Sequence, residues 1–259
     1  MSAAAPRAPA RRASGGDVAR AIALLFALLA TLGLAGCKRV RGALGSKPAE
    51  VARGVVVSLE VPGDVPVAFV RATSASKRVI VYLPPRCVDA GESFREWAVV
   101  ASRDASALGL TGDTPCPASP HQQLTTDITK LSSRVDAALS AAAAVSQIDR
   151  ASIVLAGYSQ GAARAEDLVQ HDPARFPRAL LIGAPEAPQV SHLGRARAVA
   201  TAAGERDRRD LMLTGTQALG RAGVPSRFFL LPGAAHGEFG PEGGDVMLEA
   251  IAWLFEAAP

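Results

Sequence analysis

From Lys77 onward the chain alternates short β-branched apolar runs with longer amphipathic stretches, and this alternation leaves few folds open. Lys77 to Leu83 (KRVIVYL), Ala105 to Leu110, Ser152 to Ala156, Ala179 to Ile182, Ala196 to Ala202 and Pro225 to Leu231 read as strands. Glu92 to Arg103, Leu124 to Val145, Gln160 to His171, Asp210 to Arg221 and Val246 to Phe255 read as helices, with apolar residues recurring near every 3.6 positions. Strands separated by helices cannot pair as hairpins, so they predict a mostly parallel, twisted sheet with helices on both faces. Before them, Arg53 to Val61 (RGVVVSLEV) and Val65 to Val70 flank Pro62-Gly63-Asp64, which predicts an antiparallel hairpin. The fold class is α/β. Too little chain separates Ile182 from Ala196 for a large cap domain.

At 259 residues, 49% hydrophobic and 20% charged, the chain can bury the core of one such domain. No internal repeat or second domain is visible. The net charge of +4 is concentrated at the start. Arg7, Arg11, Arg12 and Arg20 against Asp17 give the first 36 residues +3, which leaves about +1 for the rest. No basic stripe with interleaved aromatics appears, so nucleic acid is not an expected partner.

The N-terminus reads as an address. A basic stretch precedes the uncharged run AIALLFALLATLGLAG, Ala21 to Gly36, and Cys37 follows. The run has 16 residues, fewer than the ~20 of a spanning helix. Leu34-Ala35-Gly36-Cys37 resembles the lipobox of bacterial lipoproteins. The resemblance implies cleavage before Cys37 and lipid on that cysteine. Lys38, where an aspartate would resemble an inner-membrane signal, favours the outer membrane. The expected organisation is a signal peptide over 1–36, a lipid anchor and tether over 37–52, and an exported domain over 53–259.

Export changes how the remaining cysteines read. Cys87 and Cys116 are an even pair in an oxidising compartment, which predicts a disulfide. Two cysteines without a ligand cluster give no expectation of a metal, and no cofactor motif is present.

The chemistry centres on GYSQG, Gly157 to Gly161. It follows the apolar run SIVLA and precedes a helix, the setting in which a serine is held on a sharp strand-to-helix turn. The helix that starts at Gln160 would aim its first amides at the site. A serine hydroxyl needs an adjacent base, and a histidine base needs a carboxylate to orient it. Of the four histidines, His121 precedes the serine, His171 ends the following helix and His192 lies in a loop with no strand before it. His236, in PGAAHGEFG after the strand PSRFFLL, has the right place. Asp207, in GERD after the preceding strand, is the favoured acid, with Glu205, Asp210 and Glu186 as rivals.

GYSQG, GERD, GAAHG and their order resemble the α/β-hydrolase family over nearly all of 53–259. The resemblance implies Ser159 as nucleophile, Asp207 as acid, His236 as base and the Gln160 amide as one oxyanion donor. Many members have His-Gly after the third strand, where this chain has Pro84-Pro85. Proline has no N–H to give, so Arg86 is the first possible second donor. A Cys87–Cys116 bond would brace that loop. GYSQGA also occurs in cutinases, but those frame their acid with cysteines and Asp207 has none nearby. The leading expectation is an ester-cleaving serine hydrolase with an open site and a membrane contact through its lipid. The alternatives are a non-catalytic binding lipoprotein and a serine peptidase on the same scaffold.

Overall fold

The valine-rich runs do form a sheet. The computed structural model describes residues 51–117 and 119–257, which fall in one unit, Pro48–Pro259. The expected signal peptide, Cys37 anchor and tether, up to residue 50, lie outside the described residues.

In chain order the strands are β1 Val56–Leu59, β2 Val67–Val70, β3 Val79–Leu83, β4 Ser106–Gly109, β5 Thr114–Pro115, β6 Gln122–Gln123, β7 Ile153–Tyr158, β8 Arg178–Ile182, β9 Ala198–Gly204 and β10 Ser226–Leu231. The helices are α1 Ala90–Ala101, α2 Ile128–Val145, α3 Gln160–His171, α4 Val190–Leu193, α5 Arg209–Arg221 and α6 Gly243–Ala257. Eight strands form one sheet in the order β1-β2-β4-β3-β7-β8-β9-β10. β1 and β2 pair antiparallel, as do β2 and β4, and the remaining neighbours are parallel. The expected hairpin is present, and Gly63 turns it with a φ of 79°.

Strand alternation sorts the core into two layers. Val79, Val81 and Leu83 of β3 face the side covered by α2, α3 and α5, where Leu131, Leu168 and Met212 are buried. Ile80 and Tyr82 face the side covered by α1 and α6, against Phe94, Trp97 and Ile251. β3, β7, β8 and β9 are buried along their whole length. Two-sided burial explains why these strands read as continuous apolar runs.

Several boundaries differ from expectation, those of α2 and β9 among them, and one small ladder was not expected. α2 starts at Ile128, four residues later than its apolar pattern suggested, because the Asp127 side chain accepts the Lys130 amide and caps the helix there. Leu124 is still buried, but as part of the approach to the helix. β9 runs two residues later than read, since α4 and the turn after it occupy the chain up to Arg197. The small β5–β6 ladder was not legible, since Thr114-Pro115 and Gln122-Gln123 carry no alternating apolar pattern.

A buried ion-pair network ties the hairpin to the sheet. The Arg134 side chain, 6% exposed, reaches Asp64 at 2.7 Å and Asp113 at 3.0 Å. It also donates to the Thr111 carbonyl at 2.8 Å. Lys130 completes the group 2.7 Å from Asp113. A cleft of about 660 Å³ beside it is bordered by the same charged residues, at the hairpin end of the sheet.

Candidate active site

A parallel sheet gathers the exits of its strands at one end, so loops far apart in sequence meet there. Ser159 follows β7, Asp207 follows β9 and His236 follows β10.

Ser159 has φ 53° and ψ −115°, a conformation that L-residues avoid. Its amide donates to the Ile182 carbonyl at 2.8 Å, which fixes the turn against β8. The two glycines are required by close approach. A Cβ on Gly157 would lie 2.2 Å from the Gly161 carbonyl oxygen, and one on Gly161 would lie 1.9 Å from that of Leu83. The elbow therefore packs backbone on backbone, with α3 drawn against β3. The Gln160 amide is the first of α3 and has no intrahelical acceptor.

His236 Nε2 lies 3.1 Å from Ser159 Oγ, and His236 Nδ1 lies 2.9 Å from Asp207 Oδ2. The Asp207 side chain is 5% exposed, whereas that of His236 is 45% exposed. Asp207 Oδ1 accepts the Arg208 amide at 2.7 Å. The carboxylate can thus accept a hydrogen bond from Nδ1–H and leave the Nε2 lone pair facing the serine.

The rival acids are occupied elsewhere. Glu205 accepts the Gly233 amide at 3.0 Å. Asp210 lies in the first turn of α5, and Glu186 is exposed after β8. His121 and His171 are exposed, and His192 pairs with Glu166 at 3.1 Å. His192 sits in the short helix α4, not in the loop expected for it. Burial raises the Glu166 carboxyl above its usual range, against the opposing pull of the Gln189 amide and His192.

Several residues that support the site were not singled out from sequence. Tyr158 sits directly before Ser159. Its hydroxyl accepts the Gly237 amide at 2.6 Å and donates to the Glu238 carbonyl at 3.2 Å. Its ring meets the His236 imidazole edge-on, with centroids 5.6 Å apart. Burial pushes the phenol up to about 12, so it keeps its proton at neutral pH. Arg206 donates to the Gly233 carbonyl at 2.7 Å and lies 3.2 Å from Glu238, whose carboxylate also takes the Ala235 amide. In GERD, then, three consecutive side chains hold the histidine loop. Gly183, with φ 50°, leaves room for the acid, since a Cβ there would lie 2.8 Å from Asp207 Oδ2 and from the Tyr158 ring. The signal available for it was a glycine directly after a buried strand.

The second oxyanion candidate, Arg86, follows Pro84-Pro85 beyond β3, and its guanidinium donates to Gln123 at 3.1 Å. Next to it, Cys87 is bonded to Cys116, with Cα atoms 5.8 Å apart. The bond fastens this loop to the β5–β6 segment. Cys87 has φ 60°, one of two non-glycine residues with positive φ among the described residues, Ser159 being the other. Between β8 and β9 the chain holds only the four-residue α4, so no cap domain sits there. Among the described residues no group of three or more His, Cys, Asp or Glu could hold a metal ion.

No protein-family model matches this chain. No curated protein matches it either. Solved structures do. The esterase PE8 is similar at a TM-score of 0.57 and 18% identity, over 76% of this chain and 100% of that one. A carboxylesterase from Mesorhizobium loti is similar at 0.56 and 16% identity, over 76% and 99%. FphF of Staphylococcus aureus, a fluorophosphonate-binding serine hydrolase, is similar at 0.57 and 12% identity, over 78% and 97%. The fold is therefore that of the α/β hydrolases.

Proposed function

We propose that this chain is a serine hydrolase that cleaves carboxylic esters through an acyl-enzyme, held outside the cytoplasm by lipid on Cys37. The observation that carries the catalytic part is the unbroken relay Asp207–His236–Ser159, with both contacts at hydrogen-bond distance. The similar folds whose names record esterase, carboxylesterase and fluorophosphonate-binding activity support it.

His236 Nε2 takes the proton of Ser159 as Oγ bonds to the ester carbonyl carbon. The carbonyl oxygen becomes an oxyanion facing the amide at the head of α3, that of Gln160, with the Arg86 amide as the second donor. When the C–O bond breaks, the alcohol leaves with the proton from His236. Water then attacks the acyl-enzyme, gives its proton to the same nitrogen, and the acid departs as Ser159 is reprotonated. Asp207 holds the imidazolium through both steps without taking its proton. The absence of a cap between β8 and β9 suits esters presented at a surface more than long buried acyl chains.

The test is labelling of the chain by a fluorophosphonate beside its Ser159→Ala form, followed by matched ester and peptide substrates. Labelling of the first protein only, with ester turnover, supports the reading. A folded wild type that takes no label overturns it, and turnover of the peptide in place of the ester reassigns it to a peptidase. Radiolabelled fatty acid incorporated by the chain and not by Cys37→Ser supports the anchor, and equal incorporation removes it.

A further inference from the structure

The two ends of the sheet carry opposite charge. At the end where the parallel strands begin lie 51–55, 71–78, 102–105, 146–152, 172–177, 194–197 and 222–225, which hold nine Lys and Arg against three Asp. At the end where they finish lie 60–66, 84–89, 110–127, 159, 183–189, 205–208 and 232–242, which hold three Arg against ten Asp and Glu. The domain is close to neutral as a whole, so this is segregation and not excess.

Helix dipoles do not account for it. Every helix of this fold that returns across the sheet ends at the basic end, where cations are favoured, but that effect is confined to the last turn. The last turns of α1, α2 and α6 hold no basic residue. The basic side chains sit beyond them in the loops. Lys77, Arg78, Arg103, Arg195 and Arg197 are exposed, and none forms an ion pair among the described residues. Like charges gathered this way repel one another and lower stability unless something offsets them. The crowding registers inside the domain: burial first, then the charges of Arg197 and Arg78, hold the Arg178 pKa below its usual value.

The chain also enters the domain at this end. The Arg71 guanidinium donates to the Val51 carbonyl at 3.4 Å, Arg53 donates to the Thr73 carbonyl at 3.0 Å, and the Gly54 amide donates to the Arg71 carbonyl at 3.1 Å. Thirteen residues lie between Cys37 and Val51.

We propose that the end of the domain at which the parallel strands begin is a docking face for an anionic lipid bilayer, with lipid phosphates as its partners, so that Ser159 opens away from the membrane. The inference extends the lipid-anchored reading above and uses nothing of the ester chemistry. Exposed lysines and arginines within a Debye length of a negative surface are drawn to it, while the acidic rim around the catalytic end is repelled. A lipid at Cys37 fixes distance from the membrane, and the basic end fixes orientation. Substrates would then be met on the far side, at a rim that favours cationic or neutral esters over anionic ones.

The test is hydrogen exchange on the full chain reconstituted in two kinds of vesicle, phosphatidylcholine alone and phosphatidylcholine with phosphatidylglycerol. Flotation with the neutral vesicles reports the anchor, and the difference between the vesicles reports the docking face. Amides in 71–78, 146–152 and 194–197 are expected to exchange about tenfold more slowly on the anionic vesicles, with the effect removed by high salt. Amides in 232–242 are expected to be unchanged. The triple variant Lys77→Glu, Arg103→Glu and Arg197→Glu should keep its activity and lose the protection. Equal exchange on both vesicles, or protection of 232–242, overturns the proposal while leaving the anchor standing. Failure to float with neutral vesicles removes the anchor, and protection on anionic vesicles then still supports the docking face. Equal protection by soluble heparin at matched charge overturns the bilayer as the partner.

Discussion

The Tyr158 hydroxyl lies 2.6 Å from the Gly237 amide, so the residue before Ser159 holds the residue after His236. The bond runs between β7 and the loop after β10, which also meet where the Tyr158 ring packs on His236 and where Ser159 faces it. Gly237 has φ 92°, which a glycine adopts without steric cost, so this bond is what fixes its amide. Tyr158→Phe keeps the ring against His236 and removes this bond together with the donation to the Glu238 and Ala235 carbonyls. The expected result is a fall in kcat of about 10- to 100-fold with KM little changed, as for a loss of base positioning. Unchanged kcat with lower stability would reduce Tyr158 to a packing role.

Asp207 and Glu205 are two residues apart and do different work. Asp207 bonds His236, and Glu205 bonds the Gly233 amide. Asp207→Asn can present the wrong tautomer to His236 and should lower kcat by about 10⁴-fold, as in other triads. Glu205→Gln keeps an acceptor for Gly233 and should stay within about tenfold of wild type. Kinetics of the two variants side by side decide the assignment. A larger loss from Glu205→Gln would move the acid role to that residue.

Gly161 is the least replaceable residue of the elbow. A Cβ there would collide with the Leu83 carbonyl at 1.9 Å and with that of Pro84 at 2.6 Å. Both obstacles are backbone, so relief requires α3 to move away from β3. Gly161→Ala should lower stability by more than about 3 kcal/mol, read by urea denaturation, or leave no folded protein. Gly63→Ala is the control, since a Cβ at Gly63 would meet nothing within 4 Å. Its φ of 79° still carries strain, for a smaller loss of about 1 kcal/mol.

The order of strands and helices was legible because two-sided burial writes itself as continuous apolar runs, as in Val79–Leu83 and Ile153–Tyr158. Ser159 and Asp207 were legible because each follows such a run, and His236 because it follows the apolar edge strand β10. What surrounds them was not. Tyr158 reads as one more buried aromatic, and only the fold brings it to Gly237, 79 positions away. Arg206 acts through the Gly233 carbonyl and the Glu238 carboxylate of another loop, a contact that no local pattern marks. The opposite charge of the two ends is likewise invisible along the chain, where basic and acidic loops alternate and cancel.

Cys87 and Cys116 close a loop of 29 positions around the β3 exit. Cross-linking a loop of that size restricts the unfolded chain by about 3 to 4 kcal/mol. The same bond fastens the segment that carries Arg86. Cys87→Ser with Cys116→Ser should therefore lower the melting temperature and reduce kcat more than it raises KM. A variant with a lowered melting temperature and full kcat at a temperature where it stays folded would separate the bond from the site.

Asp113 makes the domain sensitive to acid. Burial alone would raise its pKa, but the Lys130 hydrogen bond and the Arg134 charge outweigh burial and hold it below the usual value. The unfolded chain therefore binds this proton at a higher pH than the folded one does. The stabilisation is complete above the unfolded value of about 3.9 and is lost as pH falls through the lower, folded value. Asp113→Asn removes it at every pH and leaves the 6%-exposed Arg134 side chain with Asp64 as its remaining carboxylate. At pH 7 the variant should be less stable by roughly 3 kcal/mol, the low end of what removing one buried partner costs. Urea denaturation of both proteins at pH 7, 5 and 3 checks this. The gap should be the same at pH 7 and 5 and should narrow at pH 3. A gap that stays constant down to pH 3 would mean that Asp113 acts through packing and not through its charge.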